Sequence, residues 1–198
     1  MEPTFQPSAP QQIKQLIDEY PLAWLVSQDF DATPLPLLAE VNDQGKLTSL
    51  LGHIALRNPQ YAYLRDNPDA LILFTGPQAY MSPNLLSDRD WAPTWNYAVL
   101  RMKVRVKFVP EETDQAVAQL VAQQESDQQT PWSSDEMGAR YDQLAKYIIA
   151  FRATIITCDA TFKLGQDETP EVFGELRDNH PDATLTRWMG LQQFKAKD

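Results

Sequence analysis

Few side chains in this sequence have the type and spacing needed for metal or nucleophilic chemistry. His53 and His180 are the only histidines and Cys158 is the only cysteine, and none belongs to a recognisable metal-ligand spacing. Glycine-rich phosphate loops and the serine elbow of hydrolases are also absent from the sequence. A Ser–His–acid site would have to be assembled from distant residues. The sequence therefore argues against a zinc site and against a nucleophilic triad.

One segment carries four basic side chains in strict alternation with apolar ones. The basic residues are Arg101, Lys103, Arg105 and Lys107, and the apolar residues are Leu100, Met102, Val104, Val106 and Phe108. A period of two is typical of an antiparallel strand with one buried and one solvated face. The basic face could bind an anionic ligand, or it could be a solvated surface balanced by nearby carboxylates.

The overall charge limits the possible partners of the chain. Its formal net charge is −10, and no run of basic residues offsets the negative field. Binding to DNA requires clustered lysine and arginine side chains that neutralise phosphates. We therefore expect no direct DNA binding by the chain alone.

The cysteine content and hydropathy predict a cytoplasmic protein. A single cysteine, Cys158, excludes an internal disulfide bond, and its apolar surroundings in the sequence predict an inert thiol in the core. The longest apolar stretches, such as residues 70–74, are too short to span a bilayer. The first residues lack the basic and apolar regions of a secretory signal.

Local patterns predict helices at several places along the chain. A first helix is expected over residues 10–19, and Asn58-Pro59 should cap and begin a second. Two more helices are expected over residues 111–125 and 134–146. The second of these carries apolar residues at helical spacing: Met137, Tyr141, Leu144 and Ile148 just beyond its end. Thr169-Pro170 begins a further helix, and the segment after Pro181 also has a helical pattern.

Around six strands are expected between these helices. They cover residues 22–26, 35–41, 46–54, 70–75 with a turn at Gly76-Pro77 and a short continuation to Tyr80, 100–108 and 148–162. Residues 82–93 have the composition of a loop. Mostly antiparallel strands with peripheral helices predict an α+β fold built on a β-barrel. We interpret residues 1–198 as one domain with a helical C-terminal extension from about residue 168.

Five segments, in order along the chain, resemble signature stretches of one protein family. They are Ala32-Thr-Pro-Leu-Pro-Leu-Leu38, Gly52-His-Ile-Ala-Leu-Arg-Asn-Pro59, Phe74-Thr-Gly-Pro-Gln-Ala-Tyr-Met-Ser-Pro83, Pro93-Thr-Trp-Asn-Tyr97 and Phe162-Lys-Leu-Gly-Gln166. The family is the PaiB family, also called the FMN-binding negative transcriptional regulators. The resemblance implies a split β-barrel homodimer of the pyridoxamine-phosphate-oxidase type, with FMN at the subunit interface.

The chain departs from the family pattern at positions that bear on the flavin phosphate. Pro34 stands in a histidine place and Leu56 stands in an arginine place, with Arg57 one residue later. Arg101 occupies another histidine place, and Asp167 replaces an asparagine. Because a phosphate dianion needs fixed cations and donors, these changes could weaken or relocate its pocket.

The resemblance suggests ten residues that could contact the cofactor: His53, Arg57, Asn58, Ser82, Trp95, Asn96, Tyr97, Arg101, Lys163 and Gln166. Several have a structural alternative. His53 could instead cap a strand end, Asn58 has a sufficient role as a helix cap, and Trp95 could pack at a dimer interface. No catalytic residue is identified.

Three functions remain open from the sequence. The first is an FMN-binding regulator that acts through flavin or redox sensing or through a protein partner. The second is a flavin-dependent oxidoreductase in which the protein supplies position and electrostatics. The third is an interaction module that has kept the barrel and lost FMN.

Overall fold

The computed structural model of the chain describes residues 5–192. The strands are β1 (Leu22–Ser27), β2 (Ala32–Pro36), β3 (Leu38–Val41), β4 (Leu47–Ala55), β5 (Asp69–Met81), β6 (Thr94–Phe108) and β7 (Ile148–Lys163). The helices are α1 (Gln11–Glu19), α2 (Pro59–Asp66), α3 (Thr113–Gln124), α4 (Ala139–Ala145), α5 (Pro170–Asn179) and α6 (Ala183–Gly190). Short 3₁₀ helices are formed by Pro83–Leu85 between β5 and β6, by Pro110–Glu112 between β6 and α3, and by Ser134–Met137 between α3 and α4.

The strands form one seven-stranded sheet in the order β2-β1-β5-β6-β7-β4-β3. Neighbouring strands pair antiparallel, including β4 with β7, where His53 lies opposite Ala150. This confirms the predicted α+β fold with an antiparallel sheet. Within residues 5–192, no helix is long and apolar enough to cross a membrane.

The described residues divide into two compact units. The first unit comprises residues 5–16, 75–100 and 159–192, and the second comprises residues 17–74 and 101–158. The prediction of one domain over residues 1–198 stays a prediction. Helices α5 and α6 lie in the predicted C-terminal extension, and residues 193–198 of that extension lie outside the described part.

The second unit has a core on each side of β4. Strand alternation directs Leu50, Gly52 and Ile54 to one face. This face is closely packed at Gly52, where an added Cβ would lie 2.4 Å from Leu37 Cδ2 and 3.2 Å from Phe151. The other face carries Leu51, which packs in a buried cluster completed by Leu38, Val109, Ala116 and Ala150. Because Ala116 belongs to α3, that helix covers the second face of β4.

The first unit has its own aromatic core. Trp188 of α6 is fully buried, and its ring meets Phe162 of β7 edge to face with centroids 5.7 Å apart. Gly165 follows β7 with a φ of +91°, a conformation that an L side chain rarely adopts. A Cβ at Gly165 would also lie 3.2 Å from Phe173, so α5 packs directly on this turn.

The predicted turn at Gly76-Pro77 is wrong, because β5 runs without interruption from Asp69 to Met81. Gly76 is buried in the strand, where a Cβ would lie 2.9 Å from Leu16 Cδ1 and 3.2 Å from the Ala98 carbonyl oxygen. The glycine therefore allows close approach of α1 and β6 rather than a reversal of the chain.

Cys158 is exposed, so the prediction of a core thiol is wrong. It belongs to a stretch of β7, residues 154–159, in which no side chain is buried, and Ile156 is 56% exposed. The apolar composition of this stretch is typical of a buried strand, yet the described residues 5–192 leave most of it exposed. Its apolar surface is therefore open to a partner.

Candidate functional site

A cavity of about 500 Å³ lies in the second unit, beside the end of β4 and the turn that follows it. Strand alternation puts His53 and Ala55 on the same face of β4 as Leu51, the face that α3 covers. The apolar lining is Ala55, Leu56, Val117, Met137, Leu144, Ala145 and Ile148, and the polar lining is His53, Arg57, Tyr141 and Tyr147.

His53 is half-buried in this cavity. Burial lowers the pKa of the imidazole from its ordinary value, because a charged ring loses solvation. At neutral pH the ring is therefore uncharged, with one nitrogen that donates and one that accepts. Among the described residues no hydrogen-bond partner of the ring is found, so both nitrogens are available to a ligand.

The lowered pKa of His53 predicts a pH effect on stability. Because the pKa of His53 is lower in the folded protein than in the unfolded chain, the unfolded chain binds more protons. The free energy of unfolding therefore falls as the pH drops below about 6.5. We expect His53→Gln to lose less stability than the wild type between pH 7.5 and pH 5.5, measured by urea unfolding. Parallel stability profiles of the two proteins over that interval would contradict the burial effect.

Arg57 is exposed at the edge of the cavity, and among residues 5–192 no carboxylate lies within ion-pairing distance of it. The backbone around it forms a turn, since Leu56 N donates to Tyr147 O at 2.8 Å and Asn58 N donates to Ala55 O at 2.9 Å. On a regular strand, Leu56 and Arg57 would point to opposite faces. The turn lets both side chains line the same cavity.

Asn58 does not line the cavity, and its side chain is occupied in capping α2. Its Oδ1 accepts from Gln60 N at 2.9 Å, and its Nδ2 donates to Thr33 Oγ1 at 2.9 Å. These bonds account for the polar atoms of the side chain. The helix-cap interpretation of Asn58 agrees with this geometry, and its role as a cofactor contact stays a prediction.

The opposite wall of the cavity comes from α3 and from the segment that contains α4. Tyr141 donates from its hydroxyl group to Asp114 Oδ1 at 2.8 Å. Desolvation, together with this bond and nearby carboxylates, raises the pKa of Tyr141 to about 12. No residue of α4 is buried, so this wall has little packing of its own. Met137, Tyr141 and Leu144, which are at helical spacing in the sequence, line the cavity from this wall.

Four of the other predicted site residues lie near one another in the first unit. Trp95 is 54% exposed, and its ring lies 6.1 Å from that of Tyr80. Lys163 Nζ donates to Thr94 Oγ1 and to Trp95 O, the latter at 3.4 Å. Asn96 is buried beside Gly165, and within the described residues its Nδ2 has no hydrogen-bond partner. Gln166 is buried, accepts from Leu164 N at 2.7 Å and donates to Phe162 O, so its amide closes a local turn.

The remaining predicted site residues are Ser82, Tyr97 and Arg101. Ser82 accepts from Asn84 N at 3.2 Å and caps the turn at Pro83–Leu85. Tyr97 is half-buried on β6, and Arg101 is exposed on the same strand. Farther along the basic face, Arg105 pairs with Asp69 at 2.8 Å, which is the balancing carboxylate expected for a solvated strand face. Among the described residues no cluster of three metal-ligating side chains occurs.

The chain matches a family model described as "Putative FMN-binding domain" over residues 1–157. It belongs to this family. The matched region includes β4, the turn after it and both helical walls of the cavity. The family assignment made from the five sequence motifs is therefore confirmed.

A curated relative supports the same assignment. The chain is 28% identical over 138 residues to protease synthase and sporulation protein PAI 2 of Bacillus subtilis. The match covers 69% of this chain and 65% of the relative, so the chain spans less than two thirds of that protein's length.

Solved structures support the split-barrel fold. A conserved hypothetical protein of Mycobacterium tuberculosis superposes with a TM-score of 0.57 at 13% identity, covering 83% of this chain and 92% of that chain. The FAD and heme binding protein of Mycobacterium smegmatis superposes with a TM-score of 0.55 at 13% identity, covering 79% of this chain and 72% of that chain. At these identities the likeness shows the fold alone. The chain is thus a split-barrel member of an FMN-binding family.

Proposed function

We propose that the chain binds a flavin in the cavity beside β4. The observation that carries this proposal is the combination of an apolar cavity with unpartnered polar groups at His53 and Arg57. Its volume of about 500 Å³ lies within the usual range for small-molecule sites. The cavity also lies inside the region that matches the FMN-binding family.

The chemistry of the lining fits the ring system of a flavin. Aliphatic side chains from both walls offer contact area to a planar body, and Tyr147 adds an aromatic ring at the rim. The uncharged imidazole of His53 can donate to one polar edge atom of the ring and accept from another. A bound flavin would supply redox chemistry, whereas the protein would orient the ring and exclude water from it.

We also propose that the chain forms a homodimer in which each of two equivalent clefts is contacted by both subunits. Support comes from the exposed apolar side chains on strands, among them Ile156 of β7 and Trp24 of β1. In this arrangement Ser82, Trp95, Asn96, Tyr97, Arg101, Lys163 and Gln166 are candidates for the second side of a cleft. To contact a ligand, the side chains of Ser82 and Gln166 would have to replace the local hydrogen bonds described above with bonds to that ligand.

The biological role that we propose is regulation through flavin or redox sensing or through a protein partner. The net charge of −10 disfavours direct DNA binding by the chain. The single cysteine is in keeping with a reducing cytoplasm.

A titration of the purified protein tests flavin binding. The intrinsic fluorescence of FMN or riboflavin is followed as protein is added, and the visible absorption spectrum of the protein as purified is recorded. We expect saturable quenching with one flavin per chain. Absence of quenching with both flavins at about 100 µM protein, roughly a hundred times a micromolar Kd, would overturn the proposed function.

The proposed dimer gives a separate prediction. We expect the wild type to sediment at twice the chain mass of 22.5 kDa, and Ile156→Arg to sediment as a monomer, because a charge would be buried in the interface. Thr157→Arg is the matched control, since its side chain lies on the opposite face of β7. Analytical ultracentrifugation measures all three. A monomeric wild type at micromolar concentration would contradict the dimer.

A further inference from the structure

The electrostatic character of the cavity restricts the ligand that it can hold. Of its eleven lining residues only Arg57 carries a charge at neutral pH, and seven are aliphatic. This lining favours a planar apolar ligand, because burial of apolar surface is favourable in proportion to its area. A phosphate group carries a charge of about −1.5 to −2 at pH 7, so one guanidinium leaves part of it unpaired.

The start of α2 cannot supply the missing donors. Helix N-termini bind phosphate through their free backbone N–H groups. Here Pro59 has no N–H, Gln60 N donates to Asn58 Oδ1, and Tyr61 N donates to Asn58 O at 3.0 Å. The Gln60 side chain is also engaged, because its Nε2 donates to Leu25 O, Ser27 Oγ and Asp31 O. The first turn of the helix therefore offers no open donor to an anion.

Arg57, the one cation that a single chain contributes to the cavity lining, is weakly placed for a strong contact. Arg57 is exposed, and interactions of exposed charges are screened by water and salt. Leu56, the neighbouring residue in the same turn, also lines the cavity but adds only apolar surface. The turn therefore contributes one charged and one uncharged side chain to the cavity.

We infer that this cavity, as a single chain forms it, recognises the planar ring of its ligand and not a terminal phosphate, so that its ligand class is a molecule with a largely apolar planar ring. For flavins this means that riboflavin binds about as tightly as FMN. The identity of the ring rests on the proposed flavin binding, whereas the weak recognition of the phosphate rests on the small number of charged residues in the cavity lining.

A comparison of two flavins tests the inference directly. Riboflavin and FMN share the ring and the ribityl chain and differ in the phosphate, so the ratio of their Kd values isolates the phosphate. We expect the two Kd values, from fluorescence titration at pH 7.5, to differ by less than about tenfold, which corresponds to about 1.4 kcal/mol. FMN binding more than tenfold tighter than riboflavin would overturn the inference.

A variant that adds a cation tests the position. Leu56→Arg should tighten FMN about tenfold while leaving riboflavin within about twofold of the wild type, since it provides a second guanidinium to the phosphate alone. Leu56→Gln is the control, because it removes the same apolar group without adding charge and should not discriminate between the flavins. An equal effect of Leu56→Arg on both flavins, or none on FMN, would contradict the placement.

A third ligand separates failure of the inference from failure of the proposed function. The probe is 8-anilinonaphthalene-1-sulfonate, a ring-bodied monoanion whose fluorescence rises in apolar sites. If neither flavin binds, the proposed function fails; enhanced probe fluorescence that Ala55→Trp removes would still support the ligand class. If Ala55→Trp leaves the probe fluorescence unchanged, the cavity is not its site and the inference fails as well.

Discussion

Replacing Ala55 with tryptophan is expected to weaken flavin binding strongly. Ala55 lines the cavity from the end of β4, opposite Ile148 of β7. An indole at this position would fill part of the cavity in which we propose that the flavin ring binds. We expect the Kd for either flavin to rise by about a hundredfold or more, equivalent to about 2.7 kcal/mol. Fluorescence titration measures the loss.

Two controls make this result specific to the cavity. Ala118→Trp places the same side chain on an exposed position of α3, next to the cavity-lining Val117, and should leave the Kd unchanged. Urea unfolding of Ala55→Trp shows whether the protein is still folded, since overpacking typically costs about 1–3 kcal/mol. A folded Ala55→Trp variant that binds flavin as the wild type does would place the ligand elsewhere.

Replacing Trp188 with alanine is expected to have the largest effect on stability. The side chain is fully buried in the core of the first unit and contacts Phe162 edge to face. Truncation of a buried tryptophan typically lowers the free energy of unfolding by about 3–5 kcal/mol, through lost apolar burial and the remaining cavity. Trp132→Ala removes the same side chain from a site that is 39% exposed, and we expect a change within about 0.5 kcal/mol. Similar losses in both variants, measured by urea unfolding, would contradict the core assignment.

Local patterns predicted the elements of this fold well where one short segment determines the outcome. The strict alternation of residues 100–108 correctly indicated β6, and the Asn58-Pro59 and Thr169-Pro170 pairs correctly marked the starts of α2 and α5. Each signal is a property of neighbouring residues, namely side-chain direction in a strand or capping of a helix. Such signals do not depend on the rest of the fold.

The errors arose where a distant contact decides the role of a residue. Gly76 is needed for contact with Leu16 and Ala98, and no local pattern distinguishes that use of a glycine from a turn. Cys158 lies in an apolar stretch that the described chain leaves mostly exposed. The apolar pattern of that stretch correctly indicated a strand, and it gave no information about what would cover the strand.

The candidate site was predictable in part. His53 and Arg57 follow from the resemblance to the family, because they lie in one of its motifs. Tyr141 and Met137 come from a segment far along the chain, and their helical spacing indicates a core face as readily as a cavity wall. Only the packing of that segment near β4 distinguishes the two interpretations.

The pairing of β4 has a consequence for how this chain acquires its structure during synthesis. One edge of β4 pairs with β3, its near neighbour in sequence, whereas the other edge pairs with β7, where Ser49 meets Thr154. Until β7 has been synthesised, that second edge and its hydrogen-bonding groups remain open to other chains. Contacts between residues so distant in sequence slow folding, because a long loop must close before they form. The nascent chain therefore passes through a stage in which one edge of β4 is open to aggregation, and it completes the sheet only after β7 has been synthesised.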